Sequence, residues 1–108
     1  MMSWEINYAE NFVAFLNSAG ISENDLLKIK SRMDYVSQSP ITLSEHVQGL
    51  SLSNLRRVRF GDFRIFILID PIGQVINCLA FLPRKSCYDQ KSLNRVATIV
   101  RDFMRSHS

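Results

Sequence analysis

Two apolar runs, Phe63–Ile69 and Val75–Leu82, stand either side of Asp70-Pro71-Ile72-Gly73. Runs rich in Ile, Phe and Val that are parted by a Pro/Gly turn read as paired strands. A third stretch, Leu55–Phe60, precedes them, with Val58 and Phe60 alternating with Arg57 and Arg59. Period-two alternation sends the apolar pair to one face of a strand and the two arginines to the other. Arg64 follows the dipeptide Gly61-Asp62, and Arg84 falls where the last strand ends. The expectation is a three-stranded meander with one dry face and one face bearing several arginines.

The rest of the chain supplies helices. Trp4–Tyr8 alternates and predicts a short first strand. Asn7, with Glu10 three residues on, has capping-box spacing and predicts a helix start. Phe12, Phe15, Leu16 and Ala19 recur at helical spacing and Gly20 is a natural stop. Ser22 with Asp25 predicts a second helix, whose apolar stripe is Leu26, Ile29, Met33 and Val36 and which ends at Ser37–Pro40. Together these two form an antiparallel helical hairpin. Residues 41–53 are the least defined, with Leu43, Val47, Leu50 and Leu52 free to tuck against a core and His46 read as a surface or loop histidine. Asp89 predicts the cap of a C-terminal helix carrying Leu93, Val96, Val100 and Phe103 on one side and Lys91, Arg95, Arg101 and Arg105 on the other.

The expected order is β-α-α-β-β-β-α. It forms a small, mainly antiparallel sheet, with both N-terminal helices on one face and a further helix at the C-terminus. That is an α+β architecture. At 108 residues the chain makes a single domain, 1–108, with enough length for one core. No apolar run approaches the ~20 residues that span a bilayer, and with no basic region followed by an apolar one at Met1–Glu5, no signal peptide is expected. Cys78 and Cys87 form neither a disulfide framework nor a zinc spacing, and Cys78 reads as a small core residue. The cytosol is the expected compartment.

Charge divides the chain. Residues 1–54 hold three basic and six acidic side chains, whereas residues 55–108 hold ten and four. A basic second half suits a polyanion partner as well as an ordinary solvated face.

Three local patterns carry a resemblance. Gln48-Gly49-Leu50 precedes a strand, Leu55–Ile65 reads LRRVRFGDFRI, and Pro83–Tyr88 reads PRKSCY. These resemble the K-G-L lead-in, the L-x-R-x-R-x-G-D-Y-R-v strand pair and the H-R-K-x-x-Y segment of the RelE/ParE superfamily of type II toxin–antitoxin toxins. The element order is similar too. The resemblance implies a toxin, with the RelE-like branch, a ribosome-dependent mRNA endoribonuclease, favoured over the ParE-like one, a non-enzymatic inhibitor of DNA gyrase. A basic nucleic-acid-binding module without catalysis is the third reading.

The RelE-type site, carried over, falls on Arg57, Arg59, Arg64, Arg84 and Tyr88. Arg64, Arg84 and Tyr88 are the catalytic candidates, and Arg57, Arg59 and Lys85 the substrate-binding ones. Pro83 stands where the family often has histidine, and Arg57 and Arg59 stand where some ribonuclease members have lysines. Arginine does not give up its proton at working pH.

The implied partners are a cognate antitoxin, in a toxin–antitoxin hetero-oligomer, and mRNA in the ribosomal A site, with no membrane. No metal or cofactor is expected: RNA carries its own 2′-hydroxyl nucleophile, and the sequence has no Asp/Glu/His cluster. Arginines clamp a phosphate through bidentate contacts, and Tyr88 is placed to handle a proton beside Arg84 and Lys85. Plainer readings stay open. Arg57 and Arg59 fit catalysis and general phosphate attraction alike. Arg56, on the opposite phase, reads as structural or rim; Lys85 stands as an alternative to Arg84; Tyr88 fits a core cap; and Phe63 reads as packed.

Overall fold

The computed structural model describes residues 3–48, 50 and 52–107; Gly49, the centre of the Gln48-Gly49-Leu50 pattern, lies outside them. The alternating and apolar runs form strands β3 (Leu55–Phe60), β4 (Phe63–Asp70) and β5 (Val75–Pro83). β3 and β4 pair antiparallel from Phe60↔Phe63 to Leu55↔Leu68. The two residues between them, Gly61-Asp62, turn the chain. Gly61 has φ +56° while Asp62 stays out of the left-handed region. Positive φ at the first central position alone marks a type II′ turn, which matches the twist of its strands and favours glycine there.

Two edges complete the sheet, in the order β1-β5-β4-β3-β2. β1 (Glu5–Tyr8) lies parallel to β5, and the other three pairings are antiparallel. β2 is only Glu45–His46, paired with β3 through Glu45↔Arg57 and His46↔Arg56. The sequence reading placed no strand there, because two residues have no period of their own. His46 is exposed on that edge. Trp4 lies just outside β1, where its N–H donates to the Ser37 carbonyl (2.9 Å).

Helix α1 is Glu10–Ser18 and α2 is Glu23–Val36. The Ser22 hydroxyl accepts from the Asp25 N–H (3.2 Å), so the predicted cap of α2 forms. The predicted cap of α1 does not. Asn7 sits within β1, where its side-chain amide donates to the Asn77 carboxamide oxygen (3.0 Å), and Ala9 occupies the cap position without a side-chain bond. Asn7 and Asn77 are register partners, so the sheet claims the side chain that the capping-box spacing assigned to the helix. Asp89 caps α3 (Gln90–Ser106), accepting from the Lys91 N–H and the Ser92 hydroxyl.

Both faces of the sheet are dry at their centres. Phe12, Leu16, Ile29, Met33 and Val36 of α1 and α2 pack on Val58, Ile65, Ile67, Ile69, Ile76, Cys78 and Phe81. Leu93, Val96 and Val100 of α3 pack on the opposite face with Val47, Leu55, Phe66, Leu79, Leu82 and Cys87. The expectation of one dry face and one arginine face is therefore corrected: the arginines rim a face whose middle α3 covers. Near-continuous apolar strands signal burial on both sides. A bulge explains how β5 serves both faces. Phe66 pairs with Ala80 and Ile67 with Cys78, so Leu79 is extra and the alternation shifts by one residue after it. Val58 and Phe60 do lie on the side of the N-terminal helices, as their phase requires.

The loosely patterned segment wraps the β2 edge. Leu43 packs with the first core, whereas Val47, Leu50 and Leu52 pack with the second. Cys78 is fully buried. Phe63 stacks on Phe81, with ring centroids 4.5 Å apart, and is packed as expected. No helix among the described residues is long and apolar enough to cross a membrane.

Candidate functional site

Leu55, Arg57 and Arg59 share one phase of β3, and Arg59 stands directly opposite Arg64 on β4. Opposed residues in an antiparallel pair project to the same face, so the two side chains leave the sheet next to each other. Like charges in that position repel. Each is given something else to hold. Arg59 Nε reaches a Glu45 carboxylate oxygen at 2.7 Å. Arg64 Nη1 donates back to the carbonyls of Gly61 (3.1 Å) and Phe63 (2.8 Å), folding over the type II′ turn.

The same turn fixes Arg84. Its backbone N–H donates to the Asp62 carbonyl at 2.7 Å, so the end of β5 is tied to the turn that Arg64 covers. Arg84 falls where the last strand ends, as expected: β5 ends at Pro83, and Arg84 opens a 3-10 helix, Arg84–Tyr88, rather than extending the strand. Proline at a strand end fits, since it has no N–H for a further ladder bond. Arg84 and Lys85 are both exposed. Tyr88 is 74% exposed, so it does not cap the core and is open to solvent.

Arg57 differs from its neighbours. Its side chain is only 17% exposed against 68% for Arg59. Its Nε lies 3.5 Å from the second Glu45 oxygen and is buried without a hydrogen bond. The Cys87 thiol sits nearby in the core of the same face. Burial pushes its pKa up, while the Arg57 and Arg64 charges pull it down.

Arg56, on the other phase, is structural. Its Nε donates to the Ser44 hydroxyl (2.6 Å), and its Nη2 donates to the carbonyls of Ile41 (3.0 Å) and Ser44 (2.9 Å). Arg32 of α2 donates to the Arg59 carbonyl (2.9 Å) and braces the end of β3 from behind.

The structure thus gathers Arg59, Arg64 and the start of the 3-10 helix around one turn and sets Arg57 deeper behind them. The residue that sequence reasoning missed is Glu45, which bridges Arg57 and Arg59. Its signal was a lone carboxylate in a segment without periodicity. Among the described residues no group of three or more His, Cys, Asp or Glu side chains is placed to hold a metal ion. Chemically, guanidinium groups held at one face, with exposed Arg84 and Tyr88 at the two ends of the adjoining 3-10 helix, suit an oxyanion or a phosphodiester.

No protein-family model matches this sequence, and neither does any curated protein. Solved structures do. The RelBE2 toxin–antitoxin complex of Mycobacterium tuberculosis superposes with TM-score 0.61 at 15% identity, covering 78% of this chain and 94% of that one. The RelB–RelE complex of Methanococcus jannaschii gives TM-score 0.55 at 26% identity, covering 78% and 96%. A mutant of the E. coli toxin RelE in its free state gives TM-score 0.59 at 12% identity, covering 88% and 99%. The order of strands and helices around the arginine-rimmed face is therefore shared with these proteins, and the chain has the RelE-like toxin fold.

Proposed function

We propose that this chain is the toxin of a type II toxin–antitoxin module, and that it cuts mRNA in the ribosomal A site, in the cytoplasm, without a metal. The observation that carries the reading is the meeting of Arg59, Arg64 and the Arg84 backbone at the Gly61-Asp62 turn. RelB–RelE complexes among the similar structures support an antitoxin as partner.

In this reading the 2′-hydroxyl oxygen attacks the adjacent phosphorus and the bond to the 5′-oxygen breaks. The products are a 2′,3′-cyclic phosphate and a 5′-hydroxyl. Arg64 and Arg84 stabilise the charge that builds on the phosphoryl oxygens. Tyr88 gives its proton to the leaving oxygen and regains one from solvent, to which it is open. The 2′-hydroxyl proton passes to water. Arg59 and Lys85 hold the RNA backbone, and Arg57 supports them from its deeper position.

The test is expression without antitoxin, followed by primer extension on a translated message. Arg64→Ala and Arg84→Ala should each slow cleavage by ~10²–10³, the cost of losing one transition-state charge donor. Tyr88→Phe should cost a similar or smaller factor, since general acid–base steps contribute ~10²–10⁴. All three should relieve growth arrest while keeping the native circular dichroism spectrum. Cleavage that persists in all three variants would place the site elsewhere. Intact messages beside stalled replication would point to gyrase instead.

A further inference from the structure

Glu45 is the only carboxylate that an ion pair joins to the strand arginines among the described residues, and it uses both oxygens: one meets Arg59 Nε at 2.7 Å, the other faces Arg57 Nε at 3.5 Å. A carboxylate on two phosphate-binding arginines has two possible roles. It is either a stand-in for the ligand, displaced on binding, or a fixed spacer.

The backbone decides between them. Glu45 is paired to Arg57 in the sheet register, and His46 to Arg56. The three Arg56 bonds fasten Ile41 and Ser44 to the opposite face of β3. The Ser44 hydroxyl in turn donates to the Pro40 carbonyl, so it serves Arg56 and Pro40 together. The residue immediately before Glu45 is thus held by a guanidinium fork from the very strand whose arginines Glu45 engages. Arg56 faces one side and Arg57 and Arg59 face the other.

A spacer held in this way orients rather than competes. It takes hold of the inner nitrogen of Arg59, and each guanidinium keeps two terminal nitrogens for an outside ligand. One carboxylate also offsets the repulsion between the two cations.

We propose that Glu45 is a positioning residue of the arginine site: held by the Arg56 clamp, it spaces Arg57 and Arg59 for a phosphate without touching the phosphate itself. The proposal rests on the phosphate-binding reading of those arginines. Glutamine in its place keeps the shape, but its amide oxygen can accept from only one guanidinium while its NH₂ turns toward the other.

The test compares the full chain with Glu45→Gln, and with Glu45→Asp should the first fail to fold. Binding is read by anisotropy with a 2′-O-methyl RNA oligonucleotide, which cannot be cut. Arginine order is read from the Nε–H signals by nitrogen-15 relaxation. In Glu45→Gln the ordered Arg59 Nε–H signal should become mobile. RNA affinity should hold, with the slope of log affinity against log salt unchanged, because Glu45 fills no phosphate position; a slope steeper by roughly 0.7, one more phosphate neutralised on a single strand, would mark a displaced stand-in and overturn the proposal. Single-turnover cleavage should fall about 10- to 100-fold, as for a misplaced reacting geometry, with KM not raised and the pH–rate profile keeping its shape. An unchanged Arg59 signal would overturn the proposal, as would affinity falling in step with cleavage. A flattened pH profile would also overturn it, making Glu45 a proton carrier. If the wild-type protein cuts no RNA, the ribonuclease reading fails on its own while the relaxation and salt arms still decide this one.

Discussion

Arg56 and Arg59 are three residues apart on one strand, and the structure assigns them opposite energetic roles. Replacing Arg56 with alanine removes three charge-assisted hydrogen bonds of 2.6, 2.9 and 3.0 Å. Hydrogen bonds to charged groups are worth about 1.5–3 kcal/mol each when removed singly. They do not add here, because two share one nitrogen and the Ile41 carbonyl lies where water can replace its partner. The Ser44 carbonyl and hydroxyl are half-buried and are re-solvated less well. A net loss of about 2–3 kcal/mol follows, or about 8–12 °C in Tm for a domain of this size. Arg59→Ala, by contrast, breaks one pair on a side chain that is 68% exposed, and such pairs are worth about 0–1 kcal/mol. Urea unfolding followed by circular dichroism measures both, with equal m-values required for the comparison. Arg56→Lys should recover little, since a single ammonium cannot reproduce the fork. An Arg56→Ala protein within about 0.5 kcal/mol of wild type, or an equal loss for Arg59→Ala, would refute the clamp.

Two further outcomes test the core. Burial pushes the Cys78 thiol up from 9.0 to about 12, so above pH 9 the unfolded chain releases a proton that the folded one keeps. Stability should therefore be level below pH 9 and fall through the window from 9 to about 12, by roughly 1.4 kcal/mol per pH unit from this group. Tyr8, raised from 10.0 to about 12 chiefly by burial, adds to the fall at the upper end. Urea midpoints taken across that range should show a shallower decline in Cys78→Ala, and midpoints flat to about pH 11 would contradict the burial. Phe12 is fully buried and meets the Tyr8 and Phe81 rings at 5.9 and 6.1 Å, so Phe12→Ala should cost about 3–5 kcal/mol in the same assay.

The parts of the fold that were legible in the sequence are those with a period or a local rule. Val58 and Phe60 face the N-terminal helices because alternation leaves them no other side. Ser22 and Asp89 cap their helices because the donors their side chains meet lie within the next three residues. Asn7 obeyed the same local rule and broke it, because a longer-range partner outbid the helix: Asn77 lies 70 residues away and becomes adjacent only when β1 pairs with β5. The bulge at Leu79 was hidden for a related reason. Across Cys78–Leu82, apolar at every position, shifting the phase by one leaves the pattern unchanged, so the sequence carries no mark of which face each residue takes.

The site divides along the same line. Strand phase placed Arg57 and Arg59 on one face and Arg56 on the other, and the structure agrees. Phase says nothing about depth. That Arg57 is largely covered while Arg59 stands in solvent follows from their places along β3: Arg57 pairs with Phe66 of the buried middle, and Arg59 with Arg64 next to the turn. Glu45 was out of reach altogether. Its two contacts bridge 12 and 14 positions to residues on a different strand, and its own strand is two residues long. What fixes it is Arg56, the one arginine that the phase argument set aside as structural. The consecutive arginines of β3 therefore act as a unit: the strand's alternation turns one back to anchor the edge segment, and that segment returns a carboxylate to the other two. A site built this way depends on the β2–β3 pairing as much as on any single guanidinium, so substitutions that loosen residues 41–46 should disturb Arg57 and Arg59 without touching them.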